Sequence, residues 1–121
     1  MRTIEEKIIK TFNECINGQD MTKKVFNLSC RDAVIKSKNI VAVELWGSRL
    51  FWFDCVTKSF YFSFCGYSTN TTKNRLNTLF QYFCYGGFYQ KNWDIFWTRN
   101  NNFKTTKIDT SKTYKIIVSS D

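Results

Sequence analysis

C-G-Y-S-T-N-T-T-K-N-R-L-N-T-L-F-Q-Y-F-C, residues 65–84, is where the apolar pattern of this chain changes its period. Just upstream, F-Y-F-S-F-C alternates, with Phe60, Phe62 and Phe64 on one face and Tyr61, Ser63 and Cys65 on the other, as in a strand. A small polar loop turns the corner. Leu76, Leu79, Phe80 and Phe83 then recur at the spacing of one helical face. Thr71 or Thr72 is the expected cap, because a side-chain oxygen there accepts a free N–H of the first turn. Lys73, Asn74, Arg75, Asn77 and Thr78 fill the rest of the early turns. Hydroxyls, an Arg and the positive end of the helix dipole thus meet at one corner. The corner reads either as a seat for an anion or as an ordinary polar helix start under a sheet.

Upstream, alternation begins at Ile40. Val41, Val43 and Leu45 share one face against Ile40, Ala42, Glu44 and Trp46. Gly47-Ser48 is a two-residue hairpin signal. The next strand sets Phe51, Phe53 and Cys55 against Leu50, Trp52, Asp54 and Val56, and with 60–65 it makes a three-stranded meander. Both faces of that meander are apolar, whereas an antiparallel sheet ordinarily keeps one side wet. Either the N-terminal helices cover the second side or another subunit does, and Trp46 and Trp52 beside the hairpin favour an oligomer.

At the start of the chain, Thr3 and Glu6 form a capping box, and Ile4, Ile8, Ile9, Phe12 and Ile16 make an amphipathic helix over 4–16 that stops at Gly18. Val25–Leu28 is a short apolar piece, and Ser29 with Asp32 signals a short helix through C-R-D-A-V-I-K. Downstream, Gly86-Gly87 ends the Thr-rich helix. F-Y-Q-K-N-W-D-I-F-W-T reads as a strand with an irregularity, such as a bulge, near Asn92. F-K-T-T-K-I and Y-K-I-I-V complete the strands. The expectation is an α+β fold in one domain over 1–121. An antiparallel β-meander packs with a Thr-capped amphipathic helix and C-terminal strands in a core over 25–121, and the N-terminal helix lies within 1–18.

With 121 residues, 43% hydrophobic and 18% aromatic, the chain can bury a core of its own. No run approaches the ~20 apolar residues that span a bilayer. The N-terminus has early acids and no apolar signal segment, so a cytosolic protein is expected. Cys15, Cys30, Cys55, Cys65 and Cys84 are widely spaced, and there is no histidine. Four or five buried, reduced thiols follow, without a structural zinc. The formal charge is +8, yet residues 1–20 hold three basic and four acidic side chains, so the excess lies beyond them. A basic surface favours nucleic acids, nucleotides or acidic proteins.

Catalysis has little to draw on. Without histidine there is no Ser–His or Cys–His pair and no imidazole proton shuttle. Glu44, Asp54 and Asp94 are a poor magnesium set, scattered among aromatic strand residues. G-Y-S-T-N-T-T-K lacks the glycine spacing of a phosphate-binding loop. Binding is better served. Aromatic rings stack on bases while Arg and Thr hold phosphate or ribose oxygens. Tyr67, Thr71, Thr72 and Arg75 form one such set, with Phe83 on the same helix; Asn92, Trp93, Asp94 and Arg99 form another. Trp93 and Trp97 read equally as core.

F-Y-F-S-F-C-G-Y-S-T-N-T-T-K-N-R-L-N-T-L-F, with N-W-D downstream, resembles small phage proteins in which an aromatic strand meets a T-T-x-x-R-L-N helix. Over residues 25–98 the chain is most similar to the phage anti-defence sponges that block Thoeris immunity. The resemblance places Thr71, Thr72, Lys73, Arg75, Leu76 and Asn77 on the shared motif. It implies a homo-oligomer in the cytoplasm of an infected bacterium. Such a protein would sequester a cyclic ADP-ribose isomer, or a cyclic oligonucleotide, without cleaving it, and needs no cofactor, metal or membrane. The competing expectation is an anti-CRISPR-like inhibitor that binds nucleic acid or protein.

Overall fold

A computed structural model describes residues 3–18, 23–27, 31–67, 69–98 and 105–116. In chain order the elements are α1 (Thr3–Ile16), β1 (Lys23–Asn27), β2 (Asp32–Lys36), β3 (Ile40–Leu45), β4 (Ser48–Asp54), β5 (Ser59–Ser63), α2 (Asn70–Tyr82), β6 (Gly87–Lys91), β7 (Asp94–Thr98), β8 (Thr105–Ile108) and β9 (Thr113–Ile116). The fold is α+β, as expected, and the meander is larger than the sequence suggests. A six-stranded antiparallel sheet runs β1-β2-β3-β4-β5-β9, and a three-stranded sheet runs β6-β7-β8.

The inner face of the large sheet is set by the aromatic alternation. Phe51 and Phe62 are fully buried, with Val34, Val41, Val43 and Leu45 beside them. Both helices lie on this face. Phe12 of α1 meets the Phe51 ring at 5.6 Å, and Phe80 of α2 meets it at 5.8 Å. The small sheet closes the end of this layer: Phe88 and Trp97 pack on Phe62 at 5.4 and 5.2 Å. Phe62 touches helix, large sheet and small sheet together, so its truncation to Ala should cost about 3–5 kcal/mol.

α1 therefore does not cover the second side of the sheet, because its apolar stripe of Ile8, Ile9 and Phe12 is buried in the same core as α2. Residues 32–36, expected to be helical, form β2 instead. Asp32 points inward to the helices while Ala33 pairs with Glu44 on the opposite face, and that alternation suits a strand. The Thr3 and Ser29 side chains of the two capping signals lie outside the described residues. So does Cys30; of the other thiols Cys15 is buried, Cys55 and Cys65 are half-buried and Cys84 is exposed. Burial pushes the Cys15 thiol up, against the opposing charge of Lys36.

Two hairpins differ from expectation in an informative way. The β3–β4 turn has Trp46 and Gly47 at its centre, with φ of +52° and +78°, closed by Leu45 opposite Ser48. The β6–β7 turn has Asn92 and Trp93 there, with φ of +51° and +72°, closed by Lys91 opposite Asp94. The irregularity near Asn92 is thus a two-residue turn with positive φ at both central positions, the twist that joins antiparallel strands tightly. α2 stops before Gly86-Gly87, at its C-cap Phe83. Gly87 begins β6, where a Cβ would stand 3.3 Å from Asn77 Oδ1.

Candidate functional site

The Thr-rich corner of α2 is a set of internal joints. Thr69, not Thr71 or Thr72, caps the helix: its Oγ1 accepts from the Thr72 N–H at 3.3 Å and donates to the Thr72 hydroxyl at 3.0 Å. Thr72 is fully buried and Thr71 half-buried. Arg75 is 6% exposed. Its Nε and Nη2 donate to the two oxygens of Asp32 at 2.8 and 3.3 Å, and Nη1 donates to Glu5 Oε1 at 3.1 Å. Thr78 donates to the other Glu5 oxygen at 2.9 Å. One guanidinium thereby ties α1, α2 and β2 together, in the bidentate geometry that makes such pairs strong.

The rest of the motif is equally inward. Leu76 is core. Asn77 accepts from the Phe88 N–H at 2.6 Å and donates to the Phe88 carbonyl at 3.2 Å, pairing the edge of β6 with a side chain. Phe83 lies among Phe12, Phe51, Phe60 and Tyr85. Among the described residues no buried side-chain nitrogen or oxygen lacks a partner.

Of the other sequence-derived positions, Tyr67 is 42% exposed and its ring lies 6.2 Å from that of Trp46. Asn92 and Trp93 form the hairpin tip. Asp94 sits 3.6 Å from Lys107 Nζ. Arg99 lies outside the described residues. Glu44 faces Arg49 across the strands, and Asp54 accepts from the Val56 and Thr57 N–H groups of its turn. Among the described residues no group of three or more His, Cys, Asp or Glu side chains is placed to hold a metal.

The outer face of the large sheet, expected to be covered by the N-terminal helices or another subunit, is covered by neither helix. Lys23, Ile35, Ala42, Trp52, Tyr61 and Lys115 stand opposite one another in successive strands. At the usual interstrand spacing this row spans about 24 Å. Trp52 and Tyr61 stack at 5.8 Å with 13° between their planes, and the Arg49 guanidinium lies 5.5 Å from the Trp52 ring.

A bulge puts Arg49 there. Between Val43 and Glu44 the register slips, so Val43 faces Phe51 while Glu44 faces Arg49. The extra residue, Leu50, goes into the core, contrary to simple alternation, and Arg49 is turned outward. Re-aiming a side chain is a usual consequence of such a bulge. Beside it, the small residues Ala33 and Gly47 leave a hollow of about 420 Å³, bordered by Lys23, Val25, Arg31 and Glu44. Cations thus flank a stacked aromatic pair on one open surface. The signal was present in the sequence as the second apolar face of the meander.

No helix among the described residues is long and apolar enough to cross a membrane. No curated protein and no solved structure matches the chain. The family described as Kyanoviridae Gp96 protein, a phage protein family, matches over residues 1–115, and the chain belongs to it.

Proposed function

We propose that this phage protein is an anti-defence factor that works by binding rather than by bond-making. It captures an anionic, base-bearing molecule on the outer face of its six-stranded sheet, in the cytoplasm of the infected host. The observation that carries this reading is the half-exposed Arg49–Trp52–Tyr61 stack, with Lys115 opposite Tyr61 and Lys23 and Arg31 lining the hollow on the same face. Rings of this kind accept a base on their faces, and the cations around them take the phosphates.

The ligand suggested by the resemblance is a cyclic nucleotide signal such as glycocyclic ADP-ribose, held intact. In this molecule its phosphates would be met by Arg49, Arg31 and Lys23, because the Arg75 guanidinium is engaged by Asp32 and Glu5. The openness of the face and the length of the row favour a second reading, a short single strand of nucleic acid lying across the strands.

Calorimetric titration with glycocyclic ADP-ribose, a cyclic dinucleotide and a short oligothymidine, each at low and moderate salt, tests both. The oligonucleotide affinity should fall steeply with salt through counterion release; a compact cyclic nucleotide should respond less. The bound ligand should be recovered unaltered on heating. Failure of all three to bind rejects the reading, and recovery of a cleaved product places the protein among enzymes.

A further inference from the structure

Trp93 is 91% exposed, the most exposed large apolar side chain among the described residues. It also occupies the second central position of a tight hairpin at φ +72°, where glycine is the favoured residue. The fold gains neither burial nor backbone ease from an indole at that place. A protruding ring on a rigid two-residue turn is instead suited to enter a pocket on another surface. Its surroundings are mildly basic: Lys91 and Lys107 stand against Asp94.

The chain itself carries a matching recess. Between α1 and the end of α2 lies a cleft of about 430 Å³, with Ile9 and Tyr82 inside and Glu6, Lys10 and Glu14 around it. Asn13 Nδ2 donates to the Tyr82 hydroxyl at 2.6 Å and braces the wall. The cleft carries two acids and one base on a chain whose formal charge is +8, so it is a locally acidic patch that complements the Lys91 and Lys107 side of the hairpin. Trp93 does not line this cleft, and its exposure shows that it does not enter its own.

We propose that the Trp93 hairpin of one copy docks in the α1–α2 cleft of a second copy. Lys91 and Lys107 then face Glu6 and Glu14. Burying the ring removes roughly 150–250 Å² from water on that side alone. Knob and recess are different surfaces, so each copy offers both halves of the contact: exchanged reciprocally they close a two-fold dimer, and passed from copy to copy they build a ring or an open chain. The inference does not depend on which ligand the sheet face takes.

Sedimentation velocity of the full chain across a concentration series tests it. Wild type should associate as concentration rises, to a dimer or beyond, and added salt should weaken the association. Trp93→Gly should sediment as a monomer with an unchanged far-ultraviolet spectrum. The Glu6→Lys/Glu14→Lys double variant, altered only at exposed positions, should do the same. Mixed together, the two variants should form a one-to-one complex that grows no further, because one retains only the recess and the other only the knob. A monomeric wild type, a Trp93→Gly chain that associates as wild type, or a mixture that stays monomeric would overturn the proposal.

Discussion

The first turns of α2 and the outer face of the large sheet both set an Arg beside apolar side chains, and put it to opposite uses. In α2 the guanidinium of Arg75 meets two buried carboxylates, and Thr72 and Asn77 bond to the chain itself. On the sheet, Arg49 rests on Trp52, the stack faces solvent, and Lys23, Arg49 and Lys115 share the face with two acids, Glu44 and Asp54. A polar motif that folds inward is architecture; the same groups left facing water are available to a partner. Composition does not distinguish the two cases. The presence of Asp32 and Glu5 on the elements packed against α2 does.

The largest effect should come from Arg75→Ala. It leaves Asp32 and Glu5 buried without their cation, and breaking such an arrangement costs about 3–5 kcal/mol. Urea denaturation should show the loss, whereas nucleotide affinity of the folded fraction should stay within a factor of ~3, about the scatter expected of a remote site. A large affinity loss at full stability would return α2 to the binding site. Trp52→Ala should give the reverse pattern. Removing one stacking ring is worth about 1–3 kcal/mol of binding, read by calorimetry, with a smaller change in melting temperature because the ring is only half-buried.

Arg49→Ala is expected to act more gently and more specifically. If Arg49 contacts a phosphate, its loss should lower the salt slope of oligonucleotide binding by ~1. An unchanged slope would confine Arg49 to holding the Trp52 ring. The smallest effect belongs to Trp93→Gly, which relieves a left-handed bulky residue and should raise stability by at most ~1 kcal/mol, measured by thermal unfolding. A clear loss of stability at concentrations where the wild type is monomeric would mean that the indole packs on its own chain.

Much of the architecture was legible in the sequence. Phe60 and Phe62 share one face of β5 by regular strand alternation, and Leu76, Leu79 and Phe80 bury one helical stripe. What escaped the sequence depends on distant partners. Arg75 finds Asp32 and Glu5 across 43 and 70 residues, which no local pattern reports. The strand character of 32–36 was hidden because Asp32 reads as a helix-start residue until its buried partner is known. The bulge at Leu50 was hidden for a related reason: two successive inward residues break the alternation, and only the facing Val43–Glu44 step reveals where. The anion seat expected at α2 rests on the same kind of local signal: an Arg near a helix start reads alike whether or not buried acids already hold it.

The four tryptophans separate these regions in a single titration. Indole ¹H–¹⁵N resonances should be followed while a short oligothymidine or glycocyclic ADP-ribose is added at low salt. Trp52, and Trp46 at the turn of the same hairpin, should shift with the ligand, while Trp97, buried and donating to the Tyr85 carbonyl at 2.9 Å, should hold still. Saturable shifts confined to Trp52 and Trp46 are the predicted result. A titration that leaves both unmoved while the ligand demonstrably binds would contradict the assignment of the sheet face.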